Sequence, residues 1–416
     1  MIAWDSPEIP ELPGTGPIPQ LFDQSSGELR AAADGDSARL YVCGITPYDA
    51  THIGHANTYL AYDTLTRVWL DANLQVSTAQ NSTDVDDPLL ERAARDDIDW
   101  QELAASQHAL FRDDMQALRV RAPDSWIAVT ERITEAADAV KTLLDKGLAY
   151  SVTTDDSSFD DIYADARAVP GWTLGVQSRT SESEMEEFSA ERGGDPQRSG
   201  KRDPLDPLLW RAARDGEPQW TTVLGDGRPG WHIECAVIAL GALDAPITVS
   251  GGGSDLVFPH HEFTAQHAEA LTGSQFARIR SNSGMVGFEG EKMSKSKGNL
   301  VRVSELLQAG VRPAAIRLAI LAHHYREDWE WTDEVLRTAN ERLDRWSEWA
   351  KLEIEDPSRS DTVLDWLRLV LQDDLNTPAA LQAVDRHIAR VPVDEVSLSA
   401  IDALLGVRLE PFQSDS

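Results

Sequence analysis

The stretch from Arg39 to Leu70, RLYVCGITPYDATHIGHANTYLAYDTLTRVWL, decides the fold class that we predict. Its first residues, Arg39-Leu-Tyr-Val-Cys43, have the composition of a short buried strand, and Gly-Ile-Thr-Pro follows as a turn. From His55 onward, apolar and aromatic side chains recur at helical spacing. Residues 74–79 alternate like a second strand. A strand, a turn, a helix and a second strand in this order predict a parallel α/β sheet.

The chain divides into four segments on composition and pattern. Residues 151–206 are rich in Asp, Ser, Gly and Arg, and after Val303 the pattern is helical to about residue 405. We therefore expect an α/β domain with an insertion and a C-terminal helical domain. The predicted segments are the first half of the α/β domain (1–150), a connective insertion (151–206), the second half of the α/β domain (207–303) and the helical domain (304–416).

The chain is strongly acidic. It has 38 Lys and Arg residues against 70 Asp and Glu residues, which gives a formal net charge of −32. Nucleic-acid affinity that is independent of sequence comes from basic side chains that neutralise phosphates, so this charge disfavours a large RNA partner. A solubility device and adaptation to a salty cytoplasm explain the same charge, and both explanations stay open.

Cysteine usage and the apolar runs indicate where the protein works. Two cysteines among 416 residues exclude a disulfide framework and favour a reduced cytoplasm. No stretch approaches the roughly 20 apolar residues of a membrane span. Residues 1–16 lack the basic start and the apolar run of a secretory signal. We therefore expect a cytoplasmic protein with no membrane partner.

Two short motifs carry the chemistry that we predict. His52-Ile-Gly-His55 stands where the first helix begins, at the edge where open α/β sheets bind ligands, and a helix N-terminus attracts phosphate. Lys292-Met-Ser-Lys-Ser-Lys297 groups three lysines, whose mobile point charges suit an anion. Each motif alone is more often structural, as a satisfied histidine pair or a solvated loop.

Together the two motifs resemble the HIGH and KMSKS signatures of the class I aminoacyl-tRNA synthetases. The resemblance is strongest to the cysteinyl-tRNA synthetases and covers roughly residues 40–300. The further matching motifs are Tyr41-Val-Cys-Gly-Ile-Thr-Pro-Tyr-Asp49, Asn81-Ser-Thr-Asp-Val-Asp-Asp87, Gly230-Trp-His-Ile-Glu-Cys235, Gly251-Gly-Gly-Ser-Asp-Leu256 and Pro259-His-His-Glu262. The resemblance implies a class I synthetase-type fold, in which the predicted α/β domain is a Rossmann-like, nucleotide-binding catalytic domain. It also implies activation of an amino acid by ATP.

The two cysteines both stand in these motifs. With His260, Cys43 and Cys235 make a Cys₂His set, which leaves a fourth zinc position open as catalytic sites do. A soft thiolate suits that position, so zinc would select cysteine over serine. The resembled synthetases often have a glutamate four residues after this histidine, where this chain has Thr264. Glu262 is a poor substitute on a helix, and we expect three protein ligands.

The resemblance also assigns roles to individual residues. His52, His55, Lys292 and Lys295 would serve the phosphates of ATP. Asn282 departs from the family, which commonly has histidine there, and we assign Phe258 and Trp210 to the core. The residues that would bind cysteine or its adenylate are Cys43, Gly44, Ile45, Thr46, Thr58, Asn81, Ser82, Thr83, Trp231, Gly253, Ser254, Asp255 and Val286. Within this set Thr46, Thr83 and Trp231 would line the cysteine pocket, Gly253 and Asp255 would meet the ribose, and Val286 would face the adenine.

Three features favour a relative of the synthetases that does not use tRNA. They are the acidic charge, Thr264 in place of the glutamate, and a helical region that ends near Leu405 with little sequence after it for reading an anticodon. With Glu191-Arg-Gly-Gly-Asp-Pro196, the chain resembles the ligases that join cysteine to glucosaminyl-inositol in mycothiol biosynthesis. That resemblance implies Zn²⁺, ATP with Mg²⁺, L-cysteine and glucosaminyl-inositol, a monomer, and no tRNA. A truncated cysteinyl-tRNA synthetase and a non-catalytic binding paralogue stay open as alternatives.

Overall fold

The predicted parallel sheet is present in the structure, a computed structural model that describes residues 1–49, 51–293, 299–354 and 363–410. The strands are β1 (Gln20–Asp23), β2 (Glu28–Ala31), β3 (Ser37–Val42), β4 (Gln75–Ser82), β5 (Ser125–Ala128), β6 (Ala149–Val152), β7 (Asp161–Ala164), β8 (Leu208–Ala212), β9 (Trp220–Thr222), β10 (Gly225–Pro229), β11 (Ile247–Gly253), β12 (Ala277–Ser283), β13 (Val286–Phe288), β14 (Glu291–Lys292) and β15 (Trp329–Trp331). The central sheet has the strand order β12-β11-β3-β4-β5, and each neighbouring pair is parallel.

Helices cover this sheet and form the C-terminal part of the described chain. They are α1 (Ile53–Asp71), α2 (Asp87–Asp96), α3 (Trp100–Ala117), α4 (Ile133–Asp145), α5 (Glu182–Glu191), α6 (Trp231–Ala242), α7 (Glu262–Thr272), α8 (Val303–Gln308), α9 (Pro313–Leu321), α10 (Asp333–Ala350), α11 (Val363–Leu371), α12 (Thr377–Ile388) and α13 (Glu395–Leu405). None of the helices in the described ranges is long and apolar enough to cross a membrane.

The strand register brings the carboxyl ends of the central strands to one edge. Val42 of β3 lies opposite Gln80 of β4 and Gly251 of β11. Gly253 of β11 lies opposite Ser283 of β12. Segments that follow these strands therefore meet at this edge, which is where open α/β sheets bind ligands.

Helix α1 follows β3 and joins the sheet to the C-terminal helices. Leu60, Leu65 and Trp69 are buried in the largest hydrophobic cluster of the described chain, which also contains Leu367 and Leu404 from C-terminal helices. Burial of apolar surface on several sides of one helix ties the two parts together.

A buried ion network reinforces this junction; it consists of Asp63, Arg67 and Arg317. Asp63 accepts a hydrogen bond from Arg67 Nε at 2.8 Å and pairs with Arg317 from α9. Arg67 Nη1 donates to the carbonyls of Asp402 and Ala403, both at 3.1 Å. The network therefore links α1, α9 and α13 through groups that satisfy one another.

A second sheet lies within and around the predicted insertion. It has the order β6-β7-β8-β10-β9, each neighbouring pair of strands is antiparallel, and it runs from Ala149 to Pro229. It thus overlaps the segment 151–206 and continues past both of its ends. The division of the chain into four segments stays a prediction.

Candidate active site

Three ligand side chains meet at the carboxyl edge of the central sheet, and we call them the metal cluster: Cys43, Cys235 and His260. Cys43 directly follows β3, Cys235 lies in the second turn of α6, and His260 lies in the turn before α7. All three are buried, and their ligand atoms, two thiol sulfurs and one imidazole nitrogen, lie within 4.8 Å of one another. Residues that are far apart in the sequence are thus placed at metal-binding distance.

The chemistry of this donor set fits a zinc ion. Burial, followed by the neighbouring Cys43, raises the pKa of the Cys235 thiol well above its ordinary value. Burial lowers the pKa of His260, which keeps its imidazole in the neutral form that binds metals. Two buried thiolates repel each other, and a divalent cation between them removes that penalty. Thiolate and imidazole are the ligands that zinc prefers.

Two aromatic neighbours fix the orientation of His260. The ring of Trp231 stacks on it with centroids 4.1 Å apart and planes 23° apart. Nδ1 of His232 lies 3.0 Å from Nδ1 of His260, so a hydrogen bond joins the two rings. Such a bond to the second ring nitrogen of a metal-binding histidine sets its tautomer and its angle.

The two other side chains considered as ligands are occupied elsewhere. Glu262 accepts hydrogen bonds from Trp172 Nε1 at 3.0 Å and from the main-chain N–H of Ser178 at 2.8 Å. The Thr264 hydroxyl donates to the carbonyl of His232 at 3.4 Å. Neither belongs to the metal cluster that the described residues form. The geometry therefore agrees with a set of three protein ligands.

The two motif histidines stack at the start of α1. Their ring centroids lie 3.8 Å apart and their planes 27° apart. His52 is the N-cap residue, and its Nδ1 accepts a hydrogen bond from the N–H of Gly54 at 3.1 Å. A Cβ on residue 54 would lie 2.9 Å from the His52 ring, so glycine allows the ring to fold back over the helix start. The pair thus lies where a helix offers N–H groups to an anion.

The residues that follow the lysine motif are joined to this helix start by main-chain hydrogen bonds. Ile53 N donates to the carbonyl of Val301 at 2.9 Å, and Val303 N donates to the carbonyl of Thr51 at 3.0 Å. At the first residue of the motif, the main chain of Lys292 in β14 pairs with Gly287 in β13. Lys295 lies outside the described residues. The residues that follow the motif are therefore held beside the histidine pair.

Asn81 connects the ends of β3 and β4 in the predicted cysteine pocket. Its Oδ1 accepts from Gly44 N at 2.7 Å and from the Tyr41 hydroxyl at 2.9 Å, and its Nδ2 donates to Thr83 Oγ1 at 3.2 Å. A Cβ on residue 44 would lie 1.6 Å from the Asn81 carbonyl oxygen. Only glycine at this position allows the two strand ends to approach so closely.

The neighbouring pocket residues are also joined by hydrogen bonds between the segment after β3, the end of β4 and α3. The Ile45 carbonyl accepts from Thr83 N at 3.0 Å and from the Ser82 hydroxyl at 3.4 Å. Ser82 Oγ also lies 2.7 Å from Nε2 of His108 on α3. Thr46 is half-buried at the turn after the cysteine. These bonds position the pocket from three elements, β3, β4 and α3.

The predicted ribose residues follow β11. A Cβ on Gly253 would lie 2.6 Å from Asp255 Oδ1, so the carboxylate folds back over the glycine, and Ser254 between them is half-buried. Asn282 Nδ2 donates to the Gly253 carbonyl at 3.0 Å and lies 3.1 Å from Nδ1 of His261. Asn282 thus replaces the family's histidine with an amide that braces this turn.

The remaining predictions concern two residues assigned to substrate or adenylate binding, Thr58 and Val286, and two residues assigned to the core. Thr58 Oγ1 lies 2.7 Å from Ser283 Oγ at the end of β12. Val286 begins β13 and is 1% exposed within the largest hydrophobic cluster. Phe258 and Trp210 are buried in hydrophobic clusters, as their assignment to the core requires.

Sequence reasoning missed His232 and His261. Both belong to the matched motifs, directly beside Trp231 and His260, and both are held by contacts with site residues. Their position next to residues that we had named was the available signal. A sequence alone does not tell which of two adjacent imidazoles faces a ligand.

Comparisons with known proteins identify the family of this chain. Residues 30–341 match the family model of the class I (C) tRNA synthetase catalytic domain. A protein of Clavibacter michiganensis subsp. michiganensis named L-cysteine:1D-myo-inositol 2-amino-2-deoxy-alpha-D-glucopyranoside ligase is 55% identical over 98% of this chain and 99% of its own. This chain belongs to that ligase family. A family member from Actinosynnema mirum with the same name is 54% identical over 98% of this chain and 100% of its own.

Solved structures confirm the class I synthetase-type fold for this member of the ligase family. Mycobacterium tuberculosis methionyl-tRNA synthetase in complex with methionyl-adenylate has a TM-score of 0.61 at 16% identity, over 89% of this chain and 88% of that chain. The LeuRS of a ternary complex from Agrobacterium radiobacter K84 has a TM-score of 0.56 at 10% identity, over 90% and 83%. At these identities the likeness concerns the fold alone.

Proposed function

We propose that this protein activates L-cysteine with ATP and transfers the cysteinyl group to the amine of glucosaminyl-inositol, a step of mycothiol biosynthesis. The metal cluster carries this proposal, because two thiols and an imidazole at the ligand-binding edge suit a substrate that has a thiol. The names of the relatives support the choice of acceptor.

In the first step, a carboxylate oxygen of cysteine attacks the α-phosphorus of ATP. The bond from that phosphorus to the bridging oxygen breaks, and pyrophosphate leaves with Mg²⁺. Negative charge grows on phosphate oxygens in such a transition state, so fixed donors and cations supply most of the catalysis. His52 and His55 donate to the α- and β-phosphates, while Lys292 and Lys295 neutralise the pyrophosphate.

In the second step, the neutral amine of the amino sugar attacks the carbonyl carbon of the cysteinyl-adenylate. An amide bond forms, the bond from the carbonyl carbon to the phosphate oxygen breaks, and AMP leaves. The attacking amine gives up a proton to a carboxylate or to the departing phosphate, because the amide nitrogen that forms must be neutral.

Zinc is part of this proposal, with Cys43, Cys235 and His260 as its protein ligands. An ion held by these three residues would favour binding of a thiolate substrate over one with a hydroxyl. The chain itself does the rest of the positioning. Trp231 and His232 orient His260, and Asn81 holds the turn after Cys43.

The proposal also covers partners and place. It takes ATP, L-cysteine and the amino sugar as substrates, a monomer as the working form and the cytoplasm as the location. It excludes tRNA as a substrate, which the net charge of −32 supports because such a surface repels a polyanion.

The decisive experiment measures AMP release. Zinc-loaded protein is supplied with ATP, Mg²⁺ and L-cysteine, and either glucosaminyl-inositol or total tRNA is added. We expect AMP to form with the sugar and not with tRNA. AMP formation with tRNA alone would identify a short cysteinyl-tRNA synthetase, and silence with both would favour a binding protein.

His55→Ala tests the role of the stacked pair. We expect cysteine-dependent exchange of pyrophosphate into ATP to fall by about 10²–10³-fold, because one donor to the developing charge is lost. Zinc content and cysteine binding serve as internal controls and stay at the wild-type level, since the metal cluster does not include His55. Exchange at the wild-type rate would refute the role.

A further inference from the structure

The segment between β7 and β8 reaches back to the active site through one arginine. Nη1 of Arg192 donates to the main-chain carbonyls of Asp255, at 2.6 Å, and Phe258, at 2.5 Å. The arginine directly follows α5, and its guanidinium lies 4.2 Å above the ring of Phe188. A charge more than sixty positions away in the sequence therefore fixes the turn that precedes α7.

That turn contains a break. A 3₁₀ turn at Ser254–Leu256 is followed directly by a π-type turn at Val257–His261, and inside the second turn Phe258 has a φ of −138° and a ψ of 136°, which are not helical. A break in a helix leaves main-chain carbonyls without the N–H groups that a regular helix provides. Arg192 supplies charge-assisted donors to two such carbonyls, and these are the stronger class of hydrogen bond.

The segment between β7 and β8 also contacts the residue that follows the turn. Trp172 and Ser178 donate to the carboxylate of Glu262, the residue after His261. The contacts of Arg192 and of Glu262 thus flank His260 on both sides. A small hydrophobic cluster that includes Met185, Phe258 and Phe263 packs the two parts together.

The carboxylate of Asp195, three residues after Arg192, is engaged by neighbouring side chains. Asp195 accepts from the Tyr163 hydroxyl and from Lys201 Nζ, the latter at 2.8 Å. These hydrogen bonds hold the carboxylate of Asp195 within its own loop. In the motif Glu191-Arg-Gly-Gly-Asp-Pro196, it is Arg192 that contacts the active site.

We propose that Arg192 is a positioning residue that keeps the turn 254–261 in the conformation that binds nucleotide and zinc. The turn carries Asp255, which we assign to the ribose, and His260, which we assign to the metal, so the inference rests on the proposed function. Without the arginine the turn populates other conformations. The apparent affinity for nucleotide and for zinc then falls in proportion to the fraction of molecules that keep the binding conformation. The chemistry at the phosphates, which His52 and His55 serve, is left in place.

Arg192→Met and Arg192→Lys test this, with Arg202→Met as the matched control. Methionine keeps an apolar stem over Phe188 and removes both donors, and lysine keeps one charged donor. Arg202 also stacks on an aromatic ring, 4.1 Å above Tyr150, and pairs with Asp165 at 3.0 Å, but it does not contact the turn. The measurements are KM for ATP and kcat of AMP release, zinc affinity by chelator competition, and hydrogen exchange of peptides that cover 254–261.

For Arg192→Met we expect KM for ATP to rise about tenfold, as it would if about one molecule in ten kept the turn in the binding conformation, with kcat changed about twofold. Zinc affinity falls in the same direction, exchange of 254–261 becomes faster, lysine restores part of each effect, and Arg202→Met changes none of them. A wild-type KM and wild-type zinc affinity in a folded Arg192→Met protein would overturn the proposal. If Arg192→Met does not fold, the same readouts on Arg192→Lys decide it.

The outcome is separable from the fate of the proposed function. Zinc affinity and hydrogen exchange need no amino sugar and no turnover. A wild-type protein that releases no AMP with glucosaminyl-inositol would end the proposed function and leave these two readouts able to support or refute the role of Arg192.

Discussion

The buried ion network and the metal cluster are both enclosed polar groups, and they differ in how their charges are satisfied. In the network, Asp63 lies between two arginines and also accepts from the N–H of Arg121 at 2.8 Å. In the cluster, two thiols and one imidazole face one another, and ionised thiols in such a place repel. Opposite charges that pair with one another hold elements of the fold together. A set of ligands that carry like charge when ionised needs a bound cation to offset their repulsion.

The largest effect is expected where the network is broken. Arg317→Met leaves Asp63 and Arg67 without the third partner and leaves the carbonyl of Leu405 without its donor. Removing one member of a buried ion group costs about 3–5 kcal/mol of the free energy of unfolding, because the other charges stay buried. Denaturant unfolding measures this loss.

Arg337→Met is the control for that prediction. Arg337 is an exposed arginine of α10 that pairs with Glu334 and Glu341 on the same helix. Exposed pairs are worth less than about 1 kcal/mol, so the two variants should differ by several fold. Equal losses in both variants would mean that burial does not distinguish the network from a surface pair.

Breaking the metal cluster should affect binding more than folding. Cys235→Ser replaces a soft ligand with a hard one of similar shape, and we expect a loss of zinc affinity that exceeds the roughly 10–100-fold cost of losing an outer-shell partner. Discrimination between cysteine and serine in pyrophosphate exchange should fall with it. Zinc content by metal analysis is the measurement, and stoichiometric zinc in the variant would contradict the three-ligand set.

The smallest expected effect is the pH dependence of stability that Asp63 of the buried ion network causes. Burial alone would raise the pKa of Asp63, but Arg67 and Arg317 outweigh it and hold that pKa below its ordinary value. The stability from this group is therefore present above the unfolded pKa of about 3.9 and is lost as the pH falls through the folded pKa. The slope is at most about 1.4 kcal/mol per pH unit for one proton.

Asp63→Asn removes this dependence. We expect the difference in the free energy of unfolding between wild type and variant to shrink as the pH falls below about 4, and to stay constant between pH 6 and 8. Denaturant titrations at several pH values measure it. A difference that grows towards acid pH would have the wrong sign for a carboxylate with a lowered pKa.

The order of strand, turn and helix was predictable from the sequence, and so were the two motifs that we assign to phosphate, because side-chain period and motif chemistry are visible in short windows. Cys43, Cys235 and His260 were proposed as a set from cysteine usage together with the family resemblance. The second sheet was not predicted, since antiparallel strands of three to five residues leave little pattern in a polar segment.

Which site residues contact one another depends on the tertiary structure and was not predictable from the sequence. The placement of Glu262 against Trp172, of His232 against His260 and of Arg192 against two carbonyls of a broken turn depends on how the segment between β7 and β8 packs on α7. Contacts of that kind are set by packing angles and by the direction of each side chain across tens of residues, and no local pattern encodes them.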